Sequence, residues 1–150
     1  LKMQLLSGIE VVVDGRRVNM AETMSYKGMM YSGVPNLASA IGYTNASWTL
    51  KCDLTCEYVC RLLNHMERTG RPIATPRADA TVETAPWLDF SSGYVQRGIS
   101  QFPKQGTKKP WKLHQNYALD MMALRFGSVE DGVMQFSKPE PATASRDLAA

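Results

Sequence analysis

The hydrophobic pattern is most regular over residues 48–66, a stretch without glycine or proline. Its apolar residues recur at intervals of three and four, which predicts an amphipathic helix with one wide buried face. Either Asn45 or Ser47 is placed to cap the first turn, and Gly70 fits the left-handed position that ends many helices. The buried face is predicted to contain positions 48, 52, 56, 59, 63 and 66, widened by 50, 54 and 62.

A short apolar stretch, residues 37–41, precedes this helix and is closed by Gly42. It predicts a buried strand of the parallel type, because a strand covered on both faces lacks polar alternation. A strand, a glycine turn and a helix in this order present backbone N–H groups and a positive dipole end to an anionic or carbonyl-bearing ligand. Any α/β unit contains this arrangement, so the pattern is equally typical of a purely structural unit.

The remaining elements are shorter, and together they predict an α+β fold with short strands or hairpins and three main helices. Asp14-Gly15 indicates a hairpin between residues 3–13 and 16–20. Residues 71–86 contain three prolines and predict a loop without regular structure. Further predictions are an extended segment over 26–31, helices from Ser91 or Ser92 to about 102 and over 112–125, a strand over 133–136 and a loosely held tail over 138–150.

Composition narrows the class of protein. With 150 residues, 44% hydrophobic and 21% charged, the chain is expected to form one soluble globular domain, alone or with an extension. Its formal charge of +3 is too small to indicate a nucleic-acid partner by itself. No apolar run approaches the roughly 20 residues of a membrane-spanning helix. The chain begins at Leu1 without signal-peptide features, so we expect a piece of a longer polypeptide.

Three cysteines, Cys52, Cys56 and Cys60, lie at intervals of four on the predicted helix. A secreted disulfide framework uses even numbers of cysteines at loop positions, so this spacing favours a reducing, cytoplasmic compartment. A zinc site needs four ligands, and His65 is off the face that the cysteines share. The cysteines are therefore interpreted as small buried hydrophobic side chains, and no metal site is expected.

Residues 91–125 contain six basic side chains and a single acidic one. Two interpretations stay open: a patch that faces a cofactor phosphate, an acidic lipid or nucleic acid, or a solvated basic surface. Trp111 within this stretch is interpreted as a docking anchor, and His65 and His114 as structural or surface residues. No phosphate-binding glycine loop, nucleophile elbow or metal-ligand motif occurs, so the residues alone indicate no catalytic residue.

The order of motifs around the predicted helix nevertheless resembles the C-terminal part of flavin-dependent monooxygenases of the Baeyer–Villiger type. That family has a Y-x-G-M segment, here beginning at Tyr26, and a G-x-P-N-L turn, here beginning at Gly33. An apolar strand and a glycine turn before a helix follow in the same order. Residues 40–51, with 92–97, 103–106, 110–111 and 131–134, resemble the branch that contains the ethionamide-activating monooxygenase of mycobacteria.

The resemblance implies a domain organisation and an activity. Residues 1–70 would be the closing portion of an FAD-binding α/β domain, 71–136 a mainly helical C-terminal extension and 137–150 a loosely ordered tail. The intact protein would use FAD and NADPH to insert one oxygen atom from O2 into ketones, or to oxidise sulfur or nitrogen compounds. The family's nucleotide-binding motifs would lie upstream of Leu1, so the isolated chain is expected to be inactive and free of cofactor.

The resemblance also assigns site residues to the glycine turn and the start of the helix. Tyr43 stands where many flavoproteins have an aspartate that binds the ribityl chain. Apolar faces bared by the missing upstream part are expected to make the chain a homo-oligomer. The alternative is a non-catalytic, self-associating interaction module. The cofactor residues would be Gly42, Tyr43, Thr44, Asn45, Ala46 and Ser47, and the substrate residues Trp48 and Thr49.

Overall fold

The computed structural model describes residues 5–87 and 98–140. Within that part of the chain the fold is α+β, with two α-helices and four pairs of short antiparallel strands. The helices are α1, Trp48–Thr69, and α2, Tyr117–Met121, which continues into a π-helical turn, Met122–Phe126. The strand pairs are β1 (Val12–Val13) with β2 (Arg16–Arg17), β3 (Ser25–Tyr26) with β4 (Met30–Tyr31), β5 (Ile73–Pro76) with β8 (Met134–Ser137), and β6 (Thr84–Pro86) with β7 (Lys104–Gly106).

Helix α1 confirms the prediction from the hydrophobic period. It ends at Gly70, whose φ of 61° is left-handed and whose N–H donates to the carbonyls of Met66 and Glu67. The capping prediction is wrong in one respect, because Ser47 occupies the N-cap position without a side-chain capping bond. Its Oγ lies 3.0 Å from Thr49 Oγ1 instead. The first turn of α1 therefore lacks the side-chain cap that serine usually provides.

The predicted buried face of α1 is confirmed at positions 54, 62 and 66 and is wrong at several others. Trp48 and Leu63 are 54% and 56% exposed, and Cys56 and Cys60 are exposed as well, so these cysteines are not core residues. The buried side is rotated around the helix and includes several polar side chains. Lys51 and His65 have partners elsewhere in the chain, Asp120 and Glu130, whereas the buried Thr55 hydroxyl has no hydrogen-bond partner among the described residues. The buried residues of α1 are Lys51, Leu54, Thr55, Tyr58, Leu62, His65 and Met66.

The buried parallel strand predicted over residues 37–41 does not form. In the described part of the chain, this segment has one isolated antiparallel bridge, from Ala38 to Met30. Its residues are exposed or half-buried in alternation. The strand beside it is β4, which is antiparallel to it, and no parallel neighbour lies beside it among the described residues.

Glycine turns produce two tight hairpins near the start of the chain. The Asp14-Gly15 hairpin is confirmed, with φ of 50° and 74°, although each of its strands has only two residues. Residues 5–8 form a 3₁₀ turn there, not part of a long strand. The segment 26–31 is not one extended strand, because Lys27-Gly28 adopts φ of 51° and 74° and reverses the chain between β3 and β4. Two consecutive left-handed residues are the signature of such turns.

The extension beyond Gly70 contains more strand than its prolines predict. The expectation of an irregular loop over 71–86 is wrong, since β5 and β6 lie within it. The predicted strand near residue 134 is confirmed by the pairing of β8 with β5. The helix predicted from Ser91 or Ser92 falls mostly outside the described residues, and α2 is shorter than predicted. A third helix and a mainly helical extension are therefore not confirmed.

One core joins residues from both sides of Gly70. Tyr26 and Tyr58 are fully buried with Trp111, whose ring stands edge-on to Tyr26 at a centroid distance of 5.7 Å. Trp111 is thus a docking anchor, as its position in the basic stretch predicted. Leu124 of the π-helical turn and Met134 of β8 complete this cluster. Residues 24–66 consequently share their hydrophobic contacts with residues 111–134, which positions the end of the chain against α1.

The exposed apolar side of α1 leads us to predict self-association of the isolated chain. Trp48, Leu50 and Leu63 are all more than 40% exposed, and a groove of about 570 Å³ between Ala38 and α1 adjoins Leu63. Contiguous apolar surface of this kind usually finds a partner. Light scattering over a range of concentrations should detect a dimer, and Leu63→Glu should shift it to monomer. A wild-type chain that stays monomeric at high concentration contradicts this prediction.

Candidate functional site

The predicted site residues form one continuous segment, residues 42–49, that leads into α1. Gly42 and Tyr43 are buried, whereas residues 44–49 are exposed. The segment therefore has an anchored beginning and an accessible end. That end is the N-terminus of α1, where backbone N–H groups and the positive end of the helix dipole meet.

Gly42 is required by packing against Trp48. A Cβ atom at position 42 would lie 2.3 Å from the Trp48 ring and 2.6 Å from the Trp48 Cα. The indole therefore folds back over the glycine, and no larger residue fits without moving the start of α1. One side of the Trp48 ring is fixed by this contact, although 54% of the residue remains exposed.

Tyr43 anchors the segment through a buried carboxylate. Its hydroxyl donates to Asp120 Oδ2 at 2.7 Å, and Lys51 Nζ lies 3.0 Å from the same oxygen. Burial lowers the pKa of Lys51, and the neighbouring carboxylate opposes that shift. Burial and the bond to Asp120 raise the pKa of Tyr43, which keeps this phenol a protonated donor at neutral pH. Asp120 thus ties the start of the segment to the first turns of α1 and α2.

Gln115 holds the next two residues of the segment. Its Oε1 accepts hydrogen bonds from Thr44 N and Thr44 Oγ1, both at 3.1 Å. Its backbone carbonyl accepts from Asn45 Nδ2, also at 3.1 Å. Gln115 has a left-handed φ of 49°, and the following Asn116 caps α2 by accepting from Leu119 N. Donors of Thr44 and Asn45 are thus paired with residue 115, although both residues are exposed.

Gln115 and Asp120 contact the candidate segment, and the sequence analysis assigned them no role in it. Gln115 lies 71 positions from Thr44, and Asp120 lies 77 positions from Tyr43. Neither belongs to a motif of known spacing. The signal nearest to them is Asn116, a good N-cap residue, which marks the start of α2 but predicts nothing about its neighbours.

A cavity of about 490 Å³ lies beside the buried beginning of the segment. Its wall is mostly apolar, and Lys109, Lys112 and His114 from the basic stretch also line it. Burial, and then the charge of Lys109, lowers the pKa of His114. Part of the basic stretch therefore faces an enclosed space. The apolar lining includes Ile41, Tyr43, Trp87, Leu113, Leu119 and Leu124.

A second polar cluster, partly buried, borders the same cavity. Asp131 Oδ2 accepts from the Tyr26 hydroxyl at 2.6 Å and lies 3.2 Å from Lys27 Nζ. Burial alone would raise the pKa of Asp131, but the hydrogen bond from Tyr26, a bond from the Met134 N–H and the Lys27 charge lower it overall. The Tyr26 and Tyr58 hydroxyls are 3.0 Å apart, and burial raises the pKa of Tyr58 to about 12. This cluster is fully paired and accounts for the buried charge of Lys27.

In residues 5–87 and 98–140, no three His, Cys, Asp or Glu side chains lie close enough together to hold a metal ion. The helices of the same ranges lack the combination of length and hydrophobicity that crossing a bilayer requires.

Sequence comparison shows which proteins the whole chain is similar to. FAD-containing monooxygenase EthA of Mycobacterium tuberculosis is 47% identical over 143 residues, which cover 94% of this chain and 29% of EthA. EthA of Mycolicibacterium smegmatis is 44% identical over 147 residues, which cover 97% of this chain and 30% of that protein. The chain is a homologue of FAD-containing monooxygenases. This confirms the resemblance to flavin-dependent monooxygenases that the motifs around residues 26–51 indicated, and the Baeyer–Villiger type stays a prediction.

A relative from another genus gives the same result. The protein named "Probable FAD-binding monooxygenase AlmA" in Acinetobacter baylyi is 43% identical over 140 residues, or 92% of this chain and 28% of AlmA. The chain thus spans about 30% of the length of the curated relatives it matches. No family model and no solved structure matches it.

Proposed function

We propose that the chain is the C-terminal portion of an FAD- and NADPH-dependent monooxygenase that transfers one oxygen atom from O2 to a ketone or to a sulfur or nitrogen compound. The observation that supports this most is its 41–47% identity, over nearly its whole length, to proteins named as FAD-containing or FAD-binding monooxygenases. The alternative of a non-catalytic interaction module is not favoured, because these relatives are named as enzymes. We keep the division into residues 1–70, 71–136 and 137–150 as part of the proposal.

In this proposal the 42–49 segment faces the flavin. FAD, when bound, supplies the redox chemistry with O2, and its reduced ring system has negative charge near N1 and the C2 carbonyl. An exposed helix N-terminus without a side-chain cap fits that charge. Because Thr44 and Asn45 are engaged with Gln115, the cofactor contacts are assigned mainly to Ala46, Ser47 and the first residues of α1.

The described residues supply one side of such a site. The chain has no dinucleotide-binding glycine motif, and it spans about 30% of its relatives. We therefore assign the nucleotide-binding motifs for FAD and NADPH to the remainder of the intact protein. The role of this chain is to place a helix N-terminus, Trp48 and Thr49 beside the flavin and the substrate.

Oxygen transfer by the intact protein tests the proposal. The full-length protein, supplied with NADPH, ¹⁸O2 and a simple ketone or sulfide, should form a product that contains one ¹⁸O atom, as measured by mass spectrometry. A reaction without substrate controls for NADPH oxidation that is not coupled to oxygen transfer. A folded, FAD-loaded protein that incorporates no ¹⁸O into any ketone, sulfide or amine contradicts the proposal.

Trp48→Ala in the intact protein should change substrate preference more than stability. The indole is 54% exposed and rests on Gly42 at the open end of the segment, so its removal should cost little folding free energy, about 1 kcal/mol or less. It should enlarge the space beside the flavin and shift the ratio of kcat/KM for a bulky and a small ketone by about tenfold. The equally exposed Leu63→Ala is the control. A large fall in melting temperature with equal loss for both ketones contradicts the substrate assignment.

A further inference from the structure

We propose that Gln115 and Asp120, both in the C-terminal extension, are positioning residues that hold the 42–49 segment in the conformation that receives the cofactor. This inference rests on the proposed function and adds residues that neither the motifs nor the resemblance assign. Neither residue needs to contact the flavin. Each acts through Tyr43, Thr44 or Asn45, which they fix in place.

The contacts of Gln115 converge on one short stretch of backbone. Its side-chain oxygen accepts two bonds from Thr44, and its carbonyl accepts one from Asn45. Gln115 has a φ of 49°, a conformation that a residue with a Cβ adopts rarely. Such a conformation persists only where the surroundings determine it.

Asp120 fixes the start of the segment through Tyr43. It is only 7% exposed, and its Oδ2 receives both the Tyr43 hydroxyl and the Lys51 ammonium. Tyr43 belongs to the segment and Lys51 to the first turn of α1, so one buried carboxylate links both to α2. Gln115 and Asp120 are five residues apart and are connected by the Asn116 cap. They therefore act as one rigid support.

The segment needs this support because residues 44–49 are exposed. Among the described contacts, Ser47 and Thr49 form the one side-chain hydrogen bond that joins two residues of the segment. If a variant populates the correct conformation only part of the time, the apparent dissociation constant for FAD rises in inverse proportion to that fraction. Loss of Gln115 contacts should therefore appear as weaker FAD binding, with the chemistry of the flavin ring itself unchanged.

The test compares four variants of the full-length protein: Gln115→Ala, Gln115→Glu, Thr44→Val and Gln101→Ala. Alanine removes the side-chain acceptor but keeps the Cβ and therefore the backbone strain, whereas glutamate keeps an acceptor oxygen. Gln101 is an exposed glutamine that serves as the matched control. The dissociation constant of FAD is measured by fluorescence quenching on the apo-protein, together with the melting temperature without FAD.

We expect Gln115→Ala to weaken FAD binding about tenfold through the loss of two hydrogen bonds, with Gln115→Glu and Gln101→Ala within about twofold of wild type. Rescue by glutamate separates positioning from general damage to the fold. Thr44→Val, which removes one of the two bonds from the opposite side, should give an intermediate loss. Equal FAD affinity in wild type and Gln115→Ala overturns this inference alone. A folded wild-type protein that binds no FAD overturns the proposed function as well.

Discussion

Asp120→Ala is expected to lower the free energy of unfolding by about 3–5 kcal/mol, because it leaves the buried Lys51 ammonium without its partner. Lys51 is 6% exposed, and its Nζ lies 3.0 Å from Asp120 Oδ2. The variant also leaves the Tyr43 hydroxyl without its acceptor and removes a negative charge from the first turn of α2. Urea denaturation followed by circular dichroism measures the difference.

The controls for this prediction come from the same helix pair. Asp53→Ala removes an exposed carboxylate from α1 and should change stability by about 0.5 kcal/mol or less. Adding Lys51→Met to Asp120→Ala removes the unpaired buried charge and should recover much of the loss. An Asp120→Ala variant as stable as wild type would mean that Lys51 finds water or another partner. It would contradict the claim that Asp120 is a main support of the 42–49 segment.

The second large effect concerns the cofactor. The isolated 150-residue chain should purify colourless, whereas the intact protein should retain one FAD per chain. The reason is that the chain supplies a helix N-terminus and the hydroxyls of Ser47 and Thr49 but no glycine-rich loop for the pyrophosphate. Visible absorption after gel filtration measures the FAD content of both proteins under the same conditions. An isolated chain that keeps stoichiometric FAD contradicts the account, because it would contain a complete site.

Local signals predicted α1, its end at Gly70 and the Asp14-Gly15 hairpin, since each depends on neighbours in the sequence. The orientation of α1 could not be predicted in the same way. Its buried side is decided by partners far along the chain, such as Asp120 for Lys51 and Glu130, whose Oε1 lies 3.0 Å from His65. A helix with a wide apolar stripe and several satisfied polar residues has two possible buried faces, and the hydrophobic period does not choose between them.

Strand formation also depends on partners far along the chain, which the local sequence pattern does not reveal. Residues 37–41 have the composition of a buried strand, yet they make a single antiparallel bridge to β4, and no parallel neighbour is found among the described residues. Conversely, β5 and β6 each end in a proline, Pro76 and Pro86, and their composition predicted a loop. They are strands because β8 and β7 pair with them. Short two-stranded pairs depend on such long-range partners more than on their own residues.

The sequence likewise indicated only some residues of the candidate site. The resemblance assigns site residues to the 42–49 segment, which stays a prediction, and the structure places this segment at the start of α1. The packing of Trp48 on Gly42 gives a physical reason for that glycine. Gln115 and Asp120 could not be predicted, because one hydrogen-bonded glutamine and one buried aspartate carry no pattern in the sequence.

Hydrogen exchange tests the central claim, that the 42–49 segment faces FAD, most directly. The full-length protein is prepared without FAD, and amide exchange is followed by mass spectrometry before and after FAD is added. The account predicts slower exchange in peptides that span residues 46–50 once FAD binds, because their N–H groups lie at the cofactor. Protection elsewhere in the protein, with no change in residues 42–50, would contradict it.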